Sequence, residues 1–244
     1  MAATLSVNVN KVATVRNSRG GSVPSVLEAV RVCLDAGVRG ITVHPRADAR
    51  HITYADVRAI AALLTPLRGR VELNIEGDPR PDLLDLVLEV RPAQCTLVPV
   101  HPGEVTSQAG WQDDAQGAHV APAVARLKAA GVRTSLFVDP DPGPIAWAAS
   151  QGADRVELYT EPYAAAWGTA DQDAQLQRFA AAAQAALDAG LGVNAGHDLN
   201  LVNLAAFARK VPGLREVSIG HALIADALEM GYADTVRAYR ACLV

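Results

Sequence analysis

Four times along this chain an apolar helical pattern runs into a glycine and then, within a few residues, into a β-branched run. The segments are Leu34-Asp35-Ala36-Gly37-Val38 before Ile41 to His44, Ala129-Ala130-Gly131-Val132 before Thr134 to Val138, Ser150-Gln151-Gly152-Ala153 before Arg155 to Leu158, and Leu187-Asp188-Ala189-Gly190 before Gly192 to Ala195. Glycine takes the left-handed conformation that ends a helix at no steric cost, so each segment reads as a short helix-to-strand link. With the less marked runs, eight strands emerge: Leu5 to Val9, Ile41 to Val43, Val71 to Ile75, Cys95 to Val98, Ser135 to Val138, Val156 to Leu158, Val193 to Ala195 and Val217 to Ile219. Helical patterns lie near 23–36, 53–67, 80–90, 122–130, 142–151, 172–189, 201–211 and 222–241. Eightfold strand–helix alternation predicts one α/β domain over 1–244, a closed (β/α)8 TIM barrel, rather than an open doubly wound sheet. The glycine fingerprint of a dinucleotide site is also missing after the first strand.

A chain of 244 residues buries enough core to fold without disulfides or metal. Its net charge of −4, with no basic stripe, excludes a nucleic-acid binder. Nowhere do 18 apolar residues run together, and Met1 to Ser6 lack a basic leader, so no membrane partner is expected and the location reads as cytoplasmic. Cys33, Cys95 and Cys242 sit in apolar patterns without metal-ligand spacing and read as buried reduced thiols.

Loop length separates the two ends of the barrel. The strand-to-helix segments 10–22, 101–121 and 159–171 are long and polar, which marks the substrate face. The longest, His101 to Ala121, carries Trp111 and reads as a mobile cover. Polar residues at the carboxyl ends of the strands are Asn8, Asn10, His44, Arg46, Glu76, Thr106 further along the fourth loop, Glu157, Thr160, His197 and His221. Three of six histidines around one mouth, with a carboxylate, point to proton transfer rather than to structural histidines. Glu76 stands close to Glu72 and Asp78; as the last residue before a glycine turn it is the favoured acid.

Three chemistries compete at such a mouth. Metal-dependent barrel hydrolases place two histidines two apart on the first strand, where this chain has Asn8-Val9-Asn10, so no metal site is expected. Of the three lysines, Lys128 and Lys210 lie in helix patterns, leaving Lys11 as the sole candidate for a covalent imine. Anion binding has the best support, because Arg16, Arg19, Arg46 and Arg50 cluster after the first two strands and guanidinium groups match phosphate. Gly196 and Gly220 add free backbone N–H groups at the last two strand ends, so two phosphorylated substrates are expected.

The run Val7-Asn8-Val9-Asn10-Lys11-Val12-Ala13-Thr14-Val15-Arg16-Asn17-Ser18-Arg19-Gly20, the segment from Gly40 to Thr53 with its His44-Pro45-Arg46 and Arg50-His51, and the turns Asn194-Ala195-Gly196-His197 and Ile219-Gly220-His221-Ala222 resemble the pyridoxine 5′-phosphate synthase family. The resemblance implies condensation of 3-amino-2-oxopropyl phosphate with 1-deoxy-D-xylulose 5-phosphate, releasing inorganic phosphate and water without an organic cofactor. It implies that His44 and Glu76 accept protons and His197 donates one. It assigns Asn8, Arg19, Gly220 and His221 to the amino-ketone phosphate, and Arg46, His51 and Thr106 to the sugar phosphate. It also implies extra helical segments in the strand-to-helix loops and a homo-octamer.

This chain departs from many members of that family in three places. Asn10-Lys11 stands where they carry Asp-His, exchanging a carboxylate and an imidazole of the sugar-phosphate site for an amide and a permanent cation. Asp198 stands where they carry glycine after the histidine, and it repels a phosphate unless turned away. Gly77-Asp78-Pro79 is a more turn-like sequence than some relatives have after Glu76. Two rival functions remain on the same barrel: a metal-dependent hydrolase or isomerase, and a barrel that only binds a phosphorylated metabolite. Retention of all three proton-transfer residues speaks against the second.

Overall fold

The computed structural model describes residues 3–100, 109–114 and 117–244. Eight parallel strands close into a barrel in chain order, β1 pairing with both β2 and β8. They are β1 (Thr4–Asn8), β2 (Gly40–Val43), β3 (Glu72–Gly77), β4 (Gln94–Leu97), β5 (Arg133–Val138), β6 (Arg155–Leu158), β7 (Gly192–Gly196) and β8 (Leu214–Ile219). The helices are α1 (Asn10–Asn17), α2 (Val26–Asp35), α3 (Tyr54–Leu64), α4 (Pro81–Val90), α5 (Val120–Ala129), α6 (Pro142–Ser150), α7 (Glu161–Ala166), α8 (Gln172–Asp188), α9 (Leu204–Lys210), α10 (His221–Met230) and α11 (Tyr232–Ala241). The predicted TIM barrel is therefore the fold.

The helix starts have local causes. Ser25 caps α2 by accepting from the Glu28 N–H, and Thr53 and Asp56 form a capping box at α3. Gly37, Gly131, Gly152 and Gly190 all have φ between 75° and 82°, the left-handed turn expected of them. Within segments 10–22 and 159–171 lie α1 and α7, extra helices of the kind the family resemblance implies. Two expectations need correcting. The 222–241 helix is two, broken at Gly231 with φ 80°. Cys33 and Cys95 are buried, but Cys242 is only partly so.

Alternation along the strands sorts two environments. Leu5, Val7, Ile41, Val43, Leu73, Ile75, Leu136, Val138, Val217 and Ile219 are buried in the apolar layer that the helices cover. The alternate positions are also buried but mostly polar, Phe137 being an exception, where barrels usually hold valine, isoleucine and leucine. Hydrogen bonds join them across strands: Ser6 Oγ with Thr42 Oγ1 at 2.7 Å, Thr96 Oγ1 to Asn74 Oδ1 at 3.0 Å, Asn194 Nδ2 to Gln94 Oε1 at 3.3 Å. At the amino-terminal end Arg133 grips Glu72, and Arg155 donates to Gln94, Asn194 and Glu216. Paired this way, buried polar groups avoid the cost of unsatisfied burial and hold the strand ends above them in one register.

Segment 109–114 does not read as the cover expected of Trp111. Trp111 is 2% exposed; its indole Nε1 donates to the Leu97 carbonyl at 2.8 Å, and its backbone N–H donates to Phe137 O at 2.9 Å. The tryptophan thus pins the returning chain to β4 and β5. Residues 101–108, including Thr106, lie outside the described residues.

Candidate active site

A cavity of about 700 Å3 opens at the carboxyl ends of the strands. From the β1 end come Asn8, Asn10 and Lys11; from β2, His44, Arg46, Arg50 and His51; from β3, Glu76; from β7, His197 and Asp198; and from β8, Ser218, Gly220 and His221. Residues separated by most of the chain thus share one chamber. Arg19, at the exposed end of α1, is not part of its wall.

Glu76 reaches across the lumen from β3. Asn8 Nδ2 donates to its Oε2 and Ser218 Oγ to its Oε1, both at 3.4 Å. Burial, with Glu216 nearby, pushes this carboxyl up from 4.5 to about 8. Such a group carries its proton at neutral pH yet gives and takes it over a small free-energy gap, as acid–base catalysis requires. Neither Glu72 nor Asp78 rivals it, since Glu72 pairs with Arg133 at the barrel floor and Asp78 with Arg80.

Of the four histidines in the chamber, His51, His44 and His197 differ in how they are held. His51 Nδ1 accepts from the Ile52 N–H at 2.9 Å, which places the ring proton of the neutral form on Nε2. Burial first, then Arg46 and Lys11, bring its pKa down to about 4, so His51 is a neutral donor. His44 is lowered well below its usual value by burial and by His51, Arg46, His197 and Arg80, and its Nε2 has no hydrogen bond among the described residues. Burial and Lys11 likewise lower His197, whose Nδ1 also lacks a hydrogen bond but stands 4.0 Å from Glu157 Oε1. Glu157 is raised well above the usual range by burial, Glu76 and Glu216. In the resting chamber burial thus favours the neutral forms of His44, His51 and His197 and of the Glu76 and Glu157 carboxyls.

Local backbone explains why the histidine of β7 stands where it does. A Cβ at Gly196 would lie 2.1 Å from the Ser218 carbonyl, so only glycine lets β7 and β8 approach this closely. His197 then takes φ 43°, an uncommon conformation for a residue with a side chain, while its N–H donates to Ser218 O at 2.9 Å. Asp198 turns toward Thr160, whose hydroxyl lies 3.4 Å from Oδ2, and that contact draws its carboxylate toward the start of α7.

The expected arginine cluster divides. Arg16 is not an anion ligand: its fork grips Asp56 at 2.6 and 2.9 Å, and with Asn17 it holds the His51 carbonyl. Arg46 and Arg50 do line the chamber, both close to Asp48. Asn10 Oδ1 accepts the His44 N–H at 2.9 Å, so its amide oxygen serves the β2 end. Lys11 lines the chamber, and its positive charge acts on His51 and His197. Among the described residues no three His, Cys, Asp or Glu converge as metal ligands.

Residues 5–244 match the family described as pyridoxal phosphate biosynthesis protein PdxJ. The chain belongs to the PdxJ family. Pyridoxine 5′-phosphate synthase of Albidiferax ferrireducens is 55% identical over 100% of this chain and 98% of its own length. The enzymes of the same name from Bacteroides fragilis and Porphyromonas gingivalis are 51% and 52% identical, over 98% and 97% of each chain. Among solved structures, tryptophan synthase from M. tuberculosis superposes with a TM-score of 0.65 at 13% identity, covering 100% of this chain and 94% of that one. A native KDPGal structure gives 0.60 at 13% identity over 98% and 93%. These structural likenesses establish the barrel alone.

The chamber gathers most of the residues that the strand-end reading singled out, and geometry adds others. Glu157 was legible as a strand-end acid, but nothing in sequence tied it to His197. Ser218 and Glu216 were missed, although the alternation Leu214-Arg215-Glu216-Val217-Ser218-Ile219 carries the signal.

Proposed function

We propose that this chain condenses 3-amino-2-oxopropyl phosphate with 1-deoxy-D-xylulose 5-phosphate to give pyridoxine 5′-phosphate, phosphate and water. The observation that carries this reading is the convergence of His44, Glu76 and His197 in one chamber of a PdxJ-family barrel. Forming an imine, losing phosphate and water and closing a pyridine ring call for repeated proton transfers and no net oxidation. Neutral imidazoles and a carboxyl poised near 8 suit that work.

In this reading His44 accepts protons through its unpaired Nε2, and Glu76 cycles its proton over the centre of the lumen. His197 donates to the departing oxygen and is resupplied through Nδ1 by the protonated Glu157. Arg46, His51 Nε2–H and Lys11 hold the sugar phosphate, with Thr106 and Asn10 assigned to the same substrate. The Gly220–His221 start of α10, with Asn8, receives the amino-ketone phosphate, because free N–H groups and the helix dipole favour an anion there. Asp198 borders that subsite but leans on Thr160.

Arg19 is assigned to the amino-ketone phosphate yet stands outside the wall of its own chamber, a placement that fits a homo-oligomer, taken as the octamer, in which a second copy supplies it. No helix among the described residues is long and apolar enough to cross a membrane, and the reading places the enzyme in the cytoplasm. The test is incubation with both substrates, following pyridine absorption and phosphate release. Product formation by wild type and its loss in Glu76→Gln and His44→Asn support the reading; a folded protein that binds both substrates without forming product removes it.

A further inference from the structure

The turn after Glu76 is one of the places where this chain departs from some relatives, and in the structure that turn carries an arginine with four partners. Arg80 is only 13% exposed in its side chain. Its Nη1 pairs with Asp78, its Nη2 donates to the Pro45 carbonyl and to Tyr54 Oη at 3.1 Å, and its Nε stands 3.2 Å from Asp82 Oδ1. Tyr54 in turn donates to Asp82 at 2.5 Å, closing a ring around the guanidinium. Pro45 directly follows His44, and Asp78 lies two residues beyond Glu76. One side chain from the β3–α4 turn therefore ties down the strand end that carries the buried His44 imidazole, whose Nε2 has no hydrogen bond among the described residues.

We propose that Arg80 is a positioning residue for this reaction, acting through His44 by fixing the Pro45 carbonyl and hence the pitch of the imidazole in the chamber. The inference rests on the proton-accepting role given to His44 above. It follows from shape as well as charge: four partners in four directions need a planar fork with donors on three nitrogens. A lysine, with one nitrogen on a flexible stem, meets one or two of them. Arg80 is absent from the chamber wall, so it meets no substrate, and its effect falls on turnover rather than on binding.

A double-mutant cycle tests this. Arg80→Met and Arg80→Lys are each compared with wild type for kcat and KM of both substrates, and Arg80→Met is remade on His44→Asn, with folding checked by thermal melts. Arg126→Met, which removes only the exposed pair with Asp85, serves as the control with unchanged kinetics. If Arg80 positions His44, Arg80→Met lowers kcat about tenfold or more with KM within about threefold, Arg80→Lys recovers only part of it, and on His44→Asn the same change costs less than about twofold, since coupled residues are non-additive. Tyr54→Phe, which removes the hydroxyl's contacts with Arg80 and Asp82, gives a smaller fall of the same kind. A multiplicative loss on the His44→Asn background, a change confined to KM, or full turnover in folded Arg80→Met overturns the proposal. Near-wild-type turnover in His44→Asn itself instead removes the role of His44, which is a separate failure.

Discussion

Replacing Glu76 with glutamine tests chemistry and stability together, and the two effects have opposite sign. In an unfolded chain the carboxyl releases its proton near 4.5, whereas in the fold it holds it up to about 8. Below 4.5 both states are protonated and the group is neutral in its effect. Between the two values the fold retains a proton that the unfolded chain has released, so stability falls as pH rises, by about 1.4 kcal/mol per pH unit. By pH 7 the cost is on the order of 3 kcal/mol, and above pH 8 it levels off. Glutamine has the same shape without the titration: its amide oxygen can accept from Asn8, and its NH2 can donate to Ser218 Oγ once that hydroxyl turns. Removing the negative charge also eases ionisation of Glu157, which acts in the same direction. The stability of Glu76→Gln relative to wild type is thus expected to grow by about 2 kcal/mol between pH 6 and 8, or roughly 4–8 °C in Tm for a domain of this size. Turnover should fall by about 10² or more, the scale of a positioned general base. Parallel thermal melts across pH 5 to 9, with steady-state assays on the same samples, decide the matter. A stability difference that is flat with pH would show that Glu76 titrates normally and that its burial has been misjudged; near-wild-type turnover would take the proton-acceptor role away from it.

Further outcomes follow from the same geometry. His197→Asn keeps a hydrogen-bond donor but no transferable proton, so kcat should drop with little change in KM; a raised KM at unchanged kcat makes it a binding residue. Arg46→Met should weaken 1-deoxy-D-xylulose 5-phosphate by roughly 1.5–3 kcal/mol and leave the amino-ketone phosphate nearly unaffected, read by separate titrations; equal losses for both contradict two anion sites. Lys11→Arg should retain measurable activity whereas Lys11→Met binds the sugar phosphate less tightly, and borohydride with that substrate alone should leave the protein mass unchanged if Lys11 acts as a charge rather than as an imine former. At the barrel floor, Arg155→Met leaves Glu216 without its cation and should destabilise by about 1–3 kcal/mol in urea unfolding, the scale for an unpaired buried polar group, because a carboxyl already pushed up to about 7 can take up a proton; no measurable loss shows that the pair contributes nothing to stability.

Much of this was legible because a barrel writes its topology locally. Glycine-ended helices followed by β runs place each element, and strand-end residues must share a face once the sheet closes. That logic located His44, Glu76, His197 and His221 without any side-chain coordinates. It failed where function depends on contacts between distant residues. Arg16 and Arg46 look alike in sequence, but Asp56 captures Arg16 forty positions away. Trp111 sits in a polar, glycine-rich loop, and only the gap between β4 and β5 explains its burial. α1 was hidden because only Val12 and Ala13 of it are buried, leaving almost no apolar stripe to read. The polar lumen, by contrast, was present as alternation in Glu216-Val217-Ser218-Ile219, but alternation alone does not say that the polar side is buried inside the barrel.

The measurement that bears most directly on the central claim is a single-pot stoichiometry. Purified protein, treated with chelator and freed of small molecules, is given 3-amino-2-oxopropyl phosphate and 1-deoxy-D-xylulose 5-phosphate in equal amounts. Pyridine absorption, product mass and inorganic phosphate are then followed together. The account predicts one pyridine ring, of pyridoxine 5′-phosphate mass, for each phosphate released, at a rate unchanged by chelator and lowered by about 10² or more in Glu76→Gln. Phosphate release without ring formation, or activity that returns only when a divalent metal is added back, would contradict it.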